Sequence, residues 1–297
     1  MEKQHNPYAS ALDGLNLRDP VGAFFDFCRE RENIRFLKES GAQFPWSNDP
    51  IFQKGRFLNV FREYDRGSKS ILNFASNIKD DIPGLVHALF FARWCNKQET
   101  LDQLSTDMLS KPIQLLNKLR SLESWSNLKA YPVEQINWYN KQYSRIEAAT
   151  ELFIIIRDEL ADTIIDAECD VIKATNNVNY LFNMSNNFPI FMAVMDLAWF
   201  RPDIISPDSH VPTGIGAVAY LDRLQKYLSL NNHQQTCEKM IELQKDYWPE
   251  AKRPFKPIDI EYLACECRKY YSYVNGTKLF EGDNVYIPSP SPIENTV

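Results

Sequence analysis

The run Glu147–Leu160, EAATELFIIIRDEL, decides the fold class. Its centre, Leu152–Ile156, is the most strand-like segment in the chain. The charged and alanine-rich residues on either side, Glu147–Glu151 and Arg157–Leu160, argue instead for the buried part of a helix. With that run helical, apolar/polar alternation is nearly absent, and glycine and proline sit at the ends of elements. The expected fold class is therefore all-α. This helix is expected to start at Pro132 and to continue to about Ala174.

Working outward from it, Asp19-Pro20 is a helix start, with an acidic N-cap before proline at the first helical position. Val21–Glu39 follows, carrying Phe24, Phe27, Cys28, Ile34 and Leu37 on one face, and Gly41 closes it. A helix is expected from Pro50 through Tyr64, with Ser70–Ile78 helical after it. Further helices are expected at Gly84–Asn96, from Glu99-Thr100 to Leu109, and from Pro112, with a loop at Ser121–Tyr131. Downstream, the asparagine-rich stretch Asn176–Asn187 reads as a loop. Phe188–Phe200, FPIFMAVMDLAWF, is the most apolar helix, and Pro202 ends it. After the loop Ile204–Pro212 comes a Gly-rich turn feeding a helix. Then follow a helix at Gln234–Asp246, a linker at Pro249–Pro257 and a last helix at Ile258–Val274. The expected organisation is a flexible segment over residues 1–18, one helical domain over 19–276 and an extended tail over 277–297.

The 297 residues are 44% hydrophobic and 13% aromatic, enough for a sizeable core. A net charge of −6 excludes a strongly basic, sequence-blind nucleic-acid coat, though not a local basic face. The six cysteines are scattered, and the one close pair, Cys265 and Cys267, has the wrong spacing for a C-x-x-C site. They read as reduced, mostly buried thiols of an intracellular protein. No signal-peptide pattern follows Met1 and no apolar run approaches membrane-spanning length, so a soluble, cytosolic protein is expected.

The polar residues of chemical interest concentrate between Phe44 and Ser68, FPWSNDPIFQKGRFLNVFREYDRGS. Read as a helix, Phe57, Phe61 and Tyr64 share one stripe, and Asn59, Arg62, Glu63 and Arg66 share the next. Two guanidiniums one turn apart beside carboxylates and a carboxamide make a cradle for a phosphate group. The plainer alternative is that these arginines pair with Glu63 and Asp65. Asp196 lies in the middle of the most apolar helix. Its setting suits it to proton transfer or to holding an amine, or else to pairing with an arginine or capping a neighbouring helix. At Pro212–Ala217, PTGIGA, the backbone N–H groups of Gly214 and Gly216 before a helix suit phosphate oxygens, and close packing of small residues is the competing reading. Cys95 near Arg93 is either an activated thiolate or a buried structural thiol. The sequence has no P-loop, no G-x-S-x-G elbow and no histidine pairing of a zinc hydrolase, so neither a metal nor a cofactor is expected.

Four separated pieces together resemble a known family. PWSNDPIFQKGRFLNVFREYDRGS is similar to the signature of bacteriophage amino acid:DNA transferases, once described as α-glutamyl/putrescinyl thymine pyrophosphorylases. It is also similar to the helical domain of 5-hydroxymethyluracil DNA kinases. LFFARWCNKQETLDQL, FMAVMDLAWF, and PTGIGAVAYL with ACECRKYYSYVNG correspond to further family segments. The resemblance covers about Phe24 to Gly276. It departs at Phe61, where tyrosine is common, at Gly67, and at the PTGIG turn.

The resemblance implies a fold like that of helix-hairpin-helix DNA glycosylases. It also implies transfer of an amino acid or amine onto 5-(pyrophosphoryloxymethyl)uracil in DNA, with release of pyrophosphate. The partners are then double-stranded phage DNA carrying modified thymine and a free amino acid or polyamine, in the cytoplasm of the infected bacterial host. In that chemistry Arg56, Arg62, Arg66 and Arg93 would bind pyrophosphate, and Asp196, Asp65 and Arg62 would be catalytic. Trp46, Asn59, Asn96, Glu266 and Lys269 would contact substrate, while Gly214, Gly216 and Lys69 would hold the DNA backbone. Trp46, Phe57 and Trp199 are stacking candidates for a flipped base. The alternatives are a non-catalytic DNA-recognition module and a modified-base glycosylase. The five cations Arg56, Arg62, Arg66, Lys69 and Arg93 are expected on one basic face, with DNA binding that weakens steeply with salt.

Overall fold

A computed structural model describes residues 6–128, 135–184, 188–281 and 285–286. In chain order the helices before residue 129 are α1 (Pro20–Glu39), α2 (Pro50–Lys54), α3 (Arg66–Ala75), α4 (Ile82–Cys95), α5 (Gln98–Leu101) and α6 (Pro112–Arg120). A hairpin follows, β1 (Gln135–Trp138) and β2 (Lys141–Ser144). Then come α7 (Arg145–Glu147), a π-helical turn at Ala148–Leu152, α8 (Phe153–Ile155), α9 (Arg157–Ile165), α10 (Val171–Phe182) and α11 (Phe188–Phe200). The last helices are α12 (Val218–Leu228), α13 (His233–Tyr247) and α14 (Pro257–Val274). The chain is mostly helical, as its patterning implies. No helix among the described residues is long and apolar enough to cross a membrane.

Contacts divide the chain into two compact units, Met1–Arg62 with Thr213–Val297, and Glu63–Pro212. The first unit is built on α14, which packs against α1, α12 and α13. Its core is aromatic. Phe24 and Phe25 meet edge-on, and Phe255 lies against Phe24, Phe25 and Phe61. The second unit is built on α4, whose ten consecutive residues Val86–Cys95 are buried on all sides by α3, α9 and α11. A helix buried on every face, and apolar but for His87 and Arg93, forms in water only as such a centre. Phe90 and Trp94 on α4 pack on Phe153, with Phe182 of α10 beside Phe90.

Three expectations of secondary structure are corrected. First, the helix expected from Pro50 stops at Lys54. Residues 56–61 are non-helical and Arg62–Tyr64 is a 3₁₀ turn, so the stripe of Asn59, Arg62, Glu63 and Arg66 does not form. Second, residues 135–144, expected to be helical, form the antiparallel hairpin, with Ile136 opposite Tyr143 as its buried pair. Pro132, the expected helix start, lies outside the described residues. The helix that follows starts instead at Ser144, whose hydroxyl caps the Glu147 N–H while the Glu147 carboxylate accepts from the Ser144 N–H. Leu152–Ile155 is helical, as its flanks imply, but Ile156 (φ −102°, ψ 7°) breaks the helix there, and α9 ends at Ile165 rather than near Ala174. Third, most of the described part of the asparagine-rich stretch is α10, capped by Asp170 and burying Val171, Ala174, Thr175, Val178 and Phe182.

Candidate functional site

The chemistry-bearing residues of the first unit gather along α14. After Gly55 the chain runs past this helix without making helical hydrogen bonds of its own, because α14 and α1 side chains supply partners for its backbone. The Leu58 N–H donates to Glu266 Oε2 at 3.0 Å, and the Tyr262 hydroxyl donates to the carbonyls of Asn59 (2.7 Å) and Val60. Arg31 donates to the Phe57 carbonyl at 3.2 Å and to Asn59 Oδ1 at 2.5 Å. Each aromatic of the stretch takes its own pocket, Phe57 among Phe27, Phe52 and Tyr270, and Phe61 on Trp248 and Phe255. These contacts overcome the helical periodicity of the sequence.

Arg62 lies over the Tyr262 ring, 5.6 Å from its centroid. Next to Tyr262 on α14 is Glu261, a buried carboxyl whose Oε1 accepts from the Gly214 N–H at 2.8 Å. Burial pushes Glu261 up to about 7, against the opposing pull of the Gly214 N–H and the Arg62 charge. A carboxyl near 7 populates both protonation states at neutral pH, whereas an ordinary glutamate is almost wholly ionised there. Further along α14, Lys269 Nζ contacts both Glu266 oxygens, at 2.9 and 3.1 Å, and lies 5.0 Å from the Phe57 ring centroid.

The Gly214–Gly216 turn is a packing device against α14. A Cβ at Gly214 would come within 2.9 Å of Glu261 Oε1, and one at Gly216 within 2.6 Å of Cys265 Sγ. The Gly214 N–H offered to a DNA phosphate is held by Glu261, and the Gly216 carbonyl accepts from Arg268 Nε at 3.1 Å. Arg56 is exposed, whereas Trp46 is half-buried, donating to the Ala42 carbonyl at 2.7 Å and packing on Phe44 and Tyr286.

The remaining sequence candidates belong to the second unit. Arg93 and Asp196 form a bidentate ion pair at 2.5 and 2.7 Å, with each side chain 2% exposed. The Asp196 carboxylate is thus a counter-ion in the core, the pairing alternative of the sequence reading. Arg66 is exposed and contacts Glu99 at 3.1 Å and Gln98. Asp65 is buried at the start of α3, Lys69 lies 5.5 Å from the Tyr64 ring centroid, and Asn96 is the left-handed cap of α4 (φ +43°). Cys95 is pushed up to about 11 by burial and lies 3.0 Å from the Trp125 carbonyl, so it is the structural thiol and no activated nucleophile. Trp199 is half-buried. Among the described residues no three or more His, Cys, Asp or Glu side chains are grouped to hold a metal ion.

The arrangement therefore brings Asn59, Arg62, Glu266 and Lys269 to one helix, and it leaves Asp65, Arg66, Lys69, Arg93, Asn96 and Asp196 to the other unit. Sequence reasoning missed Glu261, Tyr262 and Arg31. The signal for the first was present, since Asp259, Glu261 and Glu266 are carboxylates on a helix otherwise apolar enough to be buried. No curated protein and no solved structure matches the chain. The family model for the 5-hmdU DNA kinase helical domain matches residues 19–277, which span α1 to α14 and so take in both units. The chain belongs to the 5-hmdU DNA kinase helical-domain family.

Proposed function

We propose that this chain modifies double-stranded phage DNA in the infected host, joining an amino acid or amine to the 5-methylene carbon of pyrophosphoryloxymethyluracil. A C–N bond forms, the C–O bond to pyrophosphate breaks, and the amine gives up a proton. The observation that carries the reading is the grouping of Arg62 with Glu261, a buried carboxyl at about 7, within the family-matched region. Glu261 accepts the amine proton, and Arg62 stabilises the charge that builds on departing pyrophosphate. Asp196, with Asp65 a proton-acceptor candidate on sequence, is paired with Arg93 and leaves that role to Glu261. Arg56, exposed in the same unit, is a further cation for pyrophosphate, whereas the Lys269 charge is balanced by Glu266.

A second reading, a non-catalytic DNA-recognition module, is favoured by the way Arg93 with Asp196, and Gly214 with Glu261, satisfy each other. Two variants separate the readings. Glu261→Gln and Arg62→Ala should each lower the transfer rate about a hundredfold or more with less than tenfold loss of DNA affinity. Loss of DNA affinity in step with activity in both variants would support the recognition module instead.

A further inference from the structure

The hairpin β1–β2 turns on the two-residue loop Tyr139-Asn140, between the paired Trp138 and Lys141. Tyr139 is 84% exposed and has φ +47°. Glycine and asparagine enter this left-handed region readily, and hairpin loops of this length favour them there, whereas an aromatic residue is out of place. Neither burial nor turn preference accounts for a tyrosine at this position. Its ring is braced edge-on by Trp138, with centroids 4.8 Å apart and planes at 83°. On the next cross-strand pair Gln142 Nε2 donates to Asn137 Oδ1 at 3.3 Å. Lys141, half-exposed, lies 4.2 Å from the Tyr143 ring centroid and 3.4 Å from Glu151. The hairpin end thus presents an open π-face, with the Lys141 pair on one face of the ribbon and the Asn137–Gln142 pair on the other.

We propose that the Trp138-Tyr139 tip is a DNA contact at which Tyr139 stacks on an unstacked base. The proposal rests on the DNA partner suggested by the family, and it names the element that meets it. By itself a two-residue tip is too small for the roughly 800 Å² per partner of a stable protein interface. One base on one ring needs no larger surface and is worth a factor of about 5 to 100 in affinity. A base inside a duplex has both faces covered, so a protruding ring stacks only where a step has opened, as it does when a modified thymine leaves the helix for chemistry. Of the stacking candidates of the sequence, Trp46 and Phe57 are packed against other aromatic side chains and Trp199 is half-buried, whereas the Tyr139 ring stands open at the end of a hairpin.

The test uses the full chain, a duplex with one bulged 2-aminopurine and the same duplex fully paired. Tyr139→Gly suits the backbone at φ +47° and should melt no lower than the parent, so a binding defect is not a folding defect. Wild type should quench the bulged 2-aminopurine, and Tyr139→Phe should match it within about twofold. Tyr139→Gly should lose about 5- to 100-fold on the bulged duplex and little on the paired one. Bulged-duplex affinity of Tyr139→Gly within twofold of wild type overturns the tip contact while leaving DNA binding intact. No binding of either duplex by wild type overturns the DNA reading and the tip contact together. Loss of self-association in Tyr139→Gly, with DNA affinity unchanged, would assign the tip to a contact between copies of the chain.

Discussion

Asp196 and Arg93 are buried together, so each offsets the desolvation of the other through two charge-assisted hydrogen bonds. Asp196→Asn leaves the Arg93 charge in the core without its counter-ion. It should cost about 3–5 kcal/mol in urea or thermal unfolding. The double variant Arg93→Met/Asp196→Leu should recover most of that loss, which distinguishes a core ion pair from a catalytic carboxylate. Equal stability of Asp196→Asn and wild type would contradict this role. Glu261 is buried beside Arg62 but hydrogen-bonded to a backbone N–H, and its proton is held more tightly folded than unfolded. Below about pH 4.5, its ordinary value, both states carry that proton and no stability is lost. Between 4.5 and about 7 the unfolded chain ionises first, so this group's contribution falls as pH rises, and above 7 the loss is constant. Relative to wild type, Glu261→Gln should therefore gain up to about 3 kcal/mol between pH 4.5 and 7.5. A wild-type-minus-variant difference that is flat across that window would show that the carboxyl titrates normally.

At the scale of elements, the Gly214–Gly216 turn fixes how the chain enters α12, because small residues there admit Glu261 and Cys265 of α14. Gly216→Ala places a methyl 2.6 Å from Cys265 Sγ and should destabilise by about 1–3 kcal/mol, read from the denaturation midpoint. Cys265→Ala in the same chain should relieve part of it. Helices with proline starts or acidic caps were legible in the sequence. Asp19-Pro20 and Pro112 begin α1 and α6 as expected, and Asn96 ends α4. The hairpin was not legible, because Ile136 and Tyr143 are its buried residues and so short an alternation carries almost no periodic signal. The Ser144–Glu147 capping box was readable and marks the true helix start. In α10, weak asparagine propensity misled where the spacing of Val171, Ala174, Val178 and Phe182 was the stronger signal. Residues 56–61 were misread for a different reason, since the partners that hold them extended, Tyr262 and Glu266, lie some two hundred residues away.

For the molecule as a whole, the expected concentration of positive charge is thinner than five cations on one face. Arg93 is neutralised in the core and Arg66 is paired with Glu99, against a net charge of −6. DNA affinity should therefore fall only moderately with salt, with a log–log slope of about −2 to −4, corresponding to a few neutralised phosphates. A slope near about −8 would restore the broad basic face. What the family shares was legible because its motifs lie in local sequence, while the Arg62–Glu261 grouping depends on a turn, a loop and a helix meeting in space. The central claim is the transfer itself. The measurement is incubation of pyrophosphoryloxymethyluracil DNA with wild-type chain and each common amino acid or putrescine, followed by nucleoside mass analysis and pyrophosphate quantitation. The account predicts a nucleoside heavier by one amine at the 5-methylene carbon and one pyrophosphate released per adduct. DNA that is bound but unchanged with every amine, or a free base released from the sugar, would contradict it.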